Sequence, residues 1–156
     1  MSILIYAESA EGKIKKVAFE LASYAKKVAE SLGTTVTAIT INASDVSELS
    51  KYGVDKVLTV NNDKLSAFSA KAYADVIKLA AQKENAQVIV LSSSTDSLYL
   101  APLVSVALEA GFASNVVELP LSTSPFQVKR TAFSNKAFNT TEIATAIKIL
   151  SISKNS

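Results

Sequence analysis

The sequence predicts one α/β domain with a three-layer, open and mostly parallel sheet. Strand-like and helix-like patterns alternate through the first two-thirds of the 156 residues, which is typical of βα units. The strand-like runs are apolar almost throughout, as in a sheet that is covered on both faces. After residue 112 the helix patterns stop and short strand-like segments follow one another. We therefore expect antiparallel strands at the C-terminal end of the domain.

The first third of the chain contains two strand patterns separated by a long helix pattern. Ser2–Ala7 is a short apolar run, and Thr35–Ile41 is β-branched at almost every position, as expected for buried strands. Between them, Lys13–Leu32 carries apolar residues at three- and four-residue spacing. This spacing predicts an amphipathic helix, which Gly33 ends.

The middle of the chain continues the alternation. A short helix is predicted at Ser44–Tyr52, a strand at Asp55–Val60 and a second long helix at Leu65–Lys83. Ala86–Leu91 is the most apolar strand pattern and is predicted to lie at the centre of the sheet. Ser97–Ala110 is predicted as the last helix.

One proline and one glycine constrain this last predicted helix. Pro102 is compatible with it only in the first turn, and Gly111 is predicted to end it. Residues 1–112 are then a set of βα units with right-handed crossovers. Residues 113–156 are predicted to extend or flank the sheet within the same single domain, 1–156. The predicted tail strands are Val116–Leu119, Phe126–Phe133, Lys136–Thr141 and Thr145–Ser153, with a hairpin turn at Ser134-Asn135.

The composition excludes several classes of chemistry. The chain has no His and no Cys, which excludes Ser-His-Asp and Cys-His catalysis, disulfides and iron–sulfur ligation, and makes zinc and transition-metal sites unexpected. Lys and Arg number 16 and Asp and Glu 14, so the net charge of +2 gives no basic surface for nucleic acid. No apolar run approaches the roughly 18 residues of a membrane helix, and no signal-peptide pattern opens the chain. We expect an internal, reducing compartment.

Two loops are candidates for ligand binding, because open parallel sheets bind ligands beyond the carboxyl ends of their strands. Residues 7–12 contain one glycine and two carboxylates, which does not suit a dinucleotide. The second loop runs into a helix N-terminus, where hydroxyl and backbone N–H groups could hold a phosphate or a ribose. In the alternative interpretation, its Asp96 or Ser97 only caps that helix. The candidate residues of this second loop are Ser92, Ser93, Ser94, Thr95, Asp96 and Ser97.

Four acidic residues in the first half have carboxylates of the type that binds magnesium. They lie in separate predicted elements and are interpreted as solvated surface, so no metal site is predicted. The four are Asp45, Glu48, Asp55 and Asp63. No nucleophile–base pair is visible either, so no catalytic residue is predicted.

The last predicted helix is unusual in being apolar on nearly every face. Leu98–Ala110 carries a single charge, on Glu109. Such a helix is normally buried on all sides, so either a partner protein or the C-terminal strands must cover it. The basic pair after residue 128 could also dock an acidic partner or a phosphate, although an exposed strand face explains it as well. The candidate interface residues are Leu98, Leu100, Leu103, Val104, Lys129 and Arg130.

Several segments resemble the N-terminal domain of the electron transfer flavoprotein alpha subunit over essentially the whole chain. They are Ile3–Glu8 with Gly12-Lys13, Leu49–Val57 (LSKYGVDKV), Val88–Leu91, Leu100–Leu103, Gly111 with Ser114–Val116, and Ser134–Ala137. Tyr99 and Leu103 stand where the family usually has Asp and Arg. The resemblance implies a Rossmann-like, adenine-nucleotide alpha-hydrolase-like fold.

The resemblance also implies a function. The family's alpha subunit binds FAD in a second domain, pairs as a heterodimer with a beta subunit that holds AMP, and carries electrons from acyl-CoA dehydrogenases, as in fatty acid beta-oxidation, towards the quinone pool. Ser156 falls where that second domain would begin, so we expect this chain to be a non-catalytic N-terminal fragment without FAD. A bacterial cytoplasmic protein, or a processed mitochondrial matrix protein, is implied. The alternatives are a stand-alone adenine-nucleotide module resembling universal stress proteins, which would use Ser92–Ser97, and a small hydrolase or transferase.

Overall fold

The helices and strands follow the predicted alternation closely up to residue 110. The computed structural model describes residues 2–132 and 137–153. Its helices are α1 (Lys16–Leu32), α2 (Ala70–Lys83) and α3 (Thr95–Leu108), with short 3₁₀ helices at Ser47–Tyr52 and Asp63–Leu65. Its strands are β1 (Ser2–Tyr6), β2 (Ser9–Ala10), β3 (Lys13–Ile14), β4 (Thr35–Ile41), β5 (Lys56–Val60), β6 (Ala86–Leu91), β7 (Gly111–Val116), β8 (Ser122–Thr123), β9 (Phe126–Ala132), β10 (Ala137–Glu142) and β11 (Lys148–Ile152).

The described strands form one large sheet and one small hairpin. The order in the large sheet is β10-β9-β7-β11-β6-β1-β4-β5, with β8 paired to β9, while β2 and β3 form the hairpin. The strands from β7 to β5 in this order are parallel, and β8, β9 and β10 join by antiparallel pairing. The predicted α/β class, with a mostly parallel sheet and antiparallel strands, is therefore confirmed.

The sheet separates two hydrophobic cores, which makes the architecture three-layered. Alternate residues of the central strands point to opposite faces, as strand geometry requires. Ile3 and Ile5 face α1, whereas Leu4 of the same strand faces α2 and α3, and all three are fully buried. Ile89 of β6 lies in the α2–α3 core and is also fully buried. Burial on both faces explains why these strands are continuous apolar runs.

The last strand differs from the prediction that the tail only extends or flanks the sheet. β11 lies inside the sheet, parallel to both β6 and β7, and Ile149 and Leu150 are fully buried there. The chain thus leaves the sheet after β7, forms β8 to β10 at the edge, and returns to the centre. Gly111 makes the return possible, because a Cβ at this position would lie 2.7 Å from the side chains of Ile143 and Thr145.

Several predicted boundaries move by a few residues. The predicted strand Val116–Leu119 is wrong, because the strand runs from Gly111 to Val116. Glu109, with φ of 53°, takes the left-handed position that ends α3, where Gly111 was predicted. The predicted turn at Ser134-Asn135 lies outside the described residues, although the flanking strands β9 and β10 pair antiparallel.

The other helix starts also shift. The predicted helix Leu65–Lys83 begins at Ala70, where the side chain of Ser69 accepts a hydrogen bond from the Ala72 N–H. The predicted helix Ser44–Tyr52 is a 3₁₀ helix from Ser47 to Tyr52.

Candidate functional site

The carboxyl ends of β1 and β6 meet at the centre of the sheet, where the strand order reverses direction. β1 lies between β4 and β6, so chain segments that leave β1 and β6 diverge at this point. Such a switch point is where open α/β sheets bind ligands. Glu8 follows β1 here, and the predicted serine-rich loop follows β6.

The Glu8 carboxylate fills this crevice and is only 3% exposed. Its Oε1 accepts hydrogen bonds from the hydroxyls of Ser94 and Ser97, each at 2.9 Å, and also from the hydroxyl of Ser92. Lys15 Nζ lies 3.3 Å from the second carboxylate oxygen. A buried carboxylate is stable only with such donors, and it also lies at the N-terminal end of α3, where the helix dipole favours negative charge.

The serine-rich loop therefore has partners within the chain. Ser94 caps α3, because its hydroxyl accepts the N–H of Ser97 at 3.1 Å; the predicted caps, Asp96 and Ser97, were the wrong residues. Asp96 lies in the first turn of α3. Ser93 and Thr95 line a shallow cleft of about 390 Å³ together with Glu8 and Lys15. Nucleotide binding by Ser92–Ser97 remains a prediction, and three of the loop's hydroxyls already donate to the Glu8 carboxylate.

A larger cleft of about 620 Å³ lies beside this crevice, at the carboxyl ends of β1, β4 and β5. Sequence reasoning named one of its walls, the loop at residues 7–12, but not the cleft itself, because the rest of the lining comes from short turns that resemble ordinary loop sequence. Its lining residues are Tyr6, Ser9, Glu11, Gly12, Ile41, Asn42, Ala43, Ser44, Asn61, Asp63, Leu65, Ser66 and Tyr73. The Asn and Asp residues that follow β4 and β5 could have indicated the cleft, because polar residues directly after parallel strands lie at the carboxyl edge of the sheet, where ligands bind.

Tyr6 is the buried polar residue of this cleft. Its ring is 5% exposed, and no hydrogen bond joins its hydroxyl to another described residue. Burial raises the pKa of Tyr6 above its ordinary value, and the charge of Glu8 raises it further. Burial also raises the pKa of Tyr73, whose hydroxyl donates to the Leu65 carbonyl.

The four acidic residues considered for magnesium do not come together. Asp45 accepts hydrogen bonds from the backbone N–H and the hydroxyl of Ser47, which lower its pKa. Asp55 accepts the N–H of Val36 at 2.9 Å. Among residues 2–132 and 137–153, no group of three or more acidic side chains is placed to hold a metal ion.

The predicted interface residues of α3 divide between two faces. Leu98 and Leu103 are exposed, whereas Leu100 and Val104 are fully buried against the sheet and belong to the core. The correction follows from helix geometry, since residues four apart share a face. Tyr99 and Val106 are exposed on the same side of α3 as Leu98 and Leu103. Neither was among the interface residues predicted from the sequence. We call Leu98, Tyr99, Pro102, Leu103 and Val106 the outward face of α3.

The predicted basic pair is engaged within the chain. Lys129 Nζ lies 3.4 Å from a Glu118 carboxylate oxygen and 4.4 Å from the centre of the Phe138 ring. Arg130 donates to the backbone carbonyl of Ser114 at 2.7 Å and to its hydroxyl at 3.1 Å. These contacts link β9 to β7 and β10.

Comparison with known proteins identifies related chains. A family model described as "Electron transfer flavoprotein domain" matches residues 3–156. The chain is 31% identical over 122 residues to an electron transfer flavoprotein subunit alpha of Thermoanaerobacterium thermosaccharolyticum, a match over 76% of this chain and 37% of that protein. It is 29% identical over 122 residues to the corresponding subunit of Clostridium acetobutylicum, a match over 76% of this chain and 36% of that protein.

One relative carries another name. The chain is 29% identical over 132 residues to a lactate dehydrogenase (NAD(+),ferredoxin) subunit of Acetobacterium woodii, a match over 81% of this chain and 32% of that protein. The chain therefore spans about a third of the length of the curated relatives it matches. None of the helices in the described part of the chain is long and apolar enough to cross a membrane.

Proposed function

This chain belongs to the electron transfer flavoprotein domain family, and on that premise we propose that it is the scaffold and subunit-interface domain of an alpha-type subunit. The domain has no catalytic role of its own in this proposal. The redox chemistry belongs to a flavin that the complete subunit carries, and the protein supplies its placement.

The outward face of α3 is the observation that carries this proposal. Val106 is 80% exposed and Tyr99 is 62% exposed. Asp96 and the capping Glu109 are the charged residues of this segment, one at each end. A contiguous apolar face without charge at its centre is typical of the buried core of a protein–protein interface.

The partner we propose is a beta-type subunit of the same family. Two of the relatives are named as alpha subunits, which implies a second subunit in those proteins. Residues 86–156 hold nine of the 30 charged residues although they are 71 of the 156 residues, so the surface of this part of the chain favours an apolar rather than a charged partner.

The N-terminal end of α3 and the large cleft do not suit FAD. The pyrophosphate of FAD needs backbone N–H groups or cations. The N-terminal end of α3 already holds the carboxylate of Glu8, and the large cleft is lined by Glu11 and Asp63 with no Lys or Arg among its described residues. This supports the proposal that FAD lies in a part of the longer subunit that this chain does not span, with AMP in the beta subunit.

The proposed electron donors are flavoenzymes of the acyl-CoA dehydrogenase type, and the proposed destination is the quinone pool. Relatives that are named as subunits of a lactate dehydrogenase and of an acryloyl-CoA reductase belong to other complexes. The donor is therefore a property of the whole complex and is to be measured on it.

Substitution of the outward face of α3 tests the proposal. The chain is mixed with the beta-type subunit of the same organism, and the mass of the complex is measured by light scattering after gel filtration. We expect Val106→Asp to weaken pairing by at least about tenfold, because a charge would be buried in the interface. The matched control is Leu79→Asp on α2, which is 64% exposed but lies beside β5.

The two variants decide the outcome. The proposal requires Leu79→Asp to pair like the unmodified chain, with both variants keeping the circular dichroism spectrum of the parent. Pairing of Val106→Asp at the affinity of the unmodified chain would contradict it.

A further inference from the structure

The large cleft contains an unusual polar group at its floor. Tyr6 is 95% buried, and its hydroxyl forms no hydrogen bond with another described residue. The hydroxyl is not among the fully buried, unpartnered polar atoms of the described residues, so it reaches the cleft and is left to water or to a bound molecule. A tyrosine hydroxyl that lines a cleft of about 620 Å³ can take its hydrogen-bond partner from a bound molecule.

The charges around the cleft limit the chemistry of that molecule. Glu11 and Asp63 line it, and the lining includes no Lys or Arg among the described residues. Asp96 lies close enough to Tyr6 and Tyr73 for its charge to raise the pKa of both. A phosphate would therefore be repelled, whereas hydroxyl or amino groups can donate to the carboxylates.

The walls add an apolar component. Ile41 and Leu65 are buried beneath the surface of the cleft, and the partly exposed ring of Tyr73 stands at one side. Ser9 and Ser44 donate their hydroxyls to backbone carbonyls and so keep the opposite wall fixed. A cleft of this size suits a small molecule with one flat apolar part and several donor groups.

We propose that this cleft binds a phosphate-free ligand of nucleoside size, with its flat part against Tyr73 and Leu65 and a polar group on the Tyr6 hydroxyl. Hydroxyl or amino donors of the ligand bind Asp63 and Glu11. The proposed site is separate from the serine-rich loop, whose hydroxyls bind the Glu8 carboxylate. It also lies apart from the outward face of α3, so this inference and the proposed function can fail independently.

Titration of the full chain with adenosine and with AMP, followed by ¹⁵N NMR, tests the inference. Adenosine is expected to shift the amide signals of Gly12, Ala43 and Ser44, which surround the cleft, and to bind more tightly than AMP. Tyr6→Phe removes only the hydroxyl and is expected to weaken adenosine binding by about five- to tenfold.

The control is Tyr24→Phe, which removes another buried hydroxyl on the opposite face of the sheet, where it donates to the Glu118 carbonyl. This variant should bind adenosine like the parent. Absence of shifts around the cleft at millimolar adenosine, tighter binding of AMP than of adenosine, or equal weakening by the two Tyr→Phe changes would each overturn the inference.

Discussion

Glu8 is the residue that connects the sheet to the third helix. Its carboxylate binds three serine hydroxyls of the following loop and helix, and it does so where this type of sheet usually holds a ligand. The interaction joins residues more than 80 positions apart in the chain. Glu8 therefore has a structural role at a position that often carries function in open α/β sheets.

Substitution of Glu8 is expected to destabilise the fold. Glu8→Gln keeps the shape of the side chain but removes the charge that strengthens the three hydroxyl contacts and attracts Lys15. We expect a loss of about 2 kcal/mol in the free energy of unfolding, measured with urea. Glu20→Gln on the exposed side of α1 is the control and should change it by less than about 0.5 kcal/mol. Equal effects of the two changes would show that the crevice contacts contribute nothing.

Tyr24 is expected to make the fold sensitive to alkaline pH. Burial raises the pKa of its hydroxyl, which donates to the Glu118 carbonyl at 2.8 Å. Because the folded-state pKa lies above the unfolded value of about 10, the stabilisation is complete below pH 10 and decreases as the unfolded state ionises above it. From pH 8 to pH 11 the urea midpoint should therefore fall less for Tyr24→Phe than for the parent. An identical fall in both proteins would contradict this assignment.

The residue-level site was the part that sequence reasoning predicted least well. The serine-rich loop was identified correctly as a feature at a helix N-terminus, because its position after an apolar strand is a local pattern. Its partner was not identified, since Glu8 lies 84 residues before Ser92 and only the sheet brings them together. The place of Tyr6 in the lining of the large cleft was not predicted either, because β1 has the pattern of a uniformly apolar strand.

At the scale of elements, α3 has one buried and one exposed apolar face. Leu100 and Val104 pack into the core, while Leu98, Leu103 and Val106 point outward. A helix that is apolar on all sides gives no periodicity from which to separate these faces. The sequence could therefore indicate an interface on α3 but could not assign residues to it.

Two leucines of α3 provide a test of this division. Leu100→Ala is expected to lower the free energy of unfolding of the isolated chain by about 3 kcal/mol, because it leaves a cavity in the core. Leu103→Ala should lower it by less than about 0.5 kcal/mol, because its side chain is exposed. Urea unfolding of the two variants measures both values. Destabilisation by Leu103→Ala as large as that by Leu100→Ala would mean that the outward face is covered within the chain.

The order of the helices and strands was predictable where each one has its own local hydrophobic pattern. β1 to α3 follow the predicted alternation because each is a distinct apolar run separated by turn residues. The place of β11 was not predictable, because a short apolar strand can extend an edge or enter the centre with the same sequence. Its insertion between β6 and β7 depends on the close approach of Gly111 to Thr145, a contact across 34 residues.

At the scale of the whole molecule, two surfaces differ in polarity: the carboxyl edge of the sheet and the outward face of α3. The carboxyl edge of the sheet holds two polar clefts, one lined by Glu8 and one lined by Tyr6. The outward face of α3 is apolar and charge-poor, and neither β9 nor β10 covers it. This separation of polar and apolar surfaces is what the proposed scaffold and subunit-interface role requires.

Amide hydrogen exchange, compared between the free chain and the chain bound to its beta-type subunit, tests the central claim most directly. We expect binding to slow exchange in α3 from Leu98 to Leu108, while the amides of α2 beside Leu79 stay unchanged. Unchanged exchange in α3 on formation of a complex, with slowing confined to another surface, would contradict the assignment of its outward face as the subunit interface.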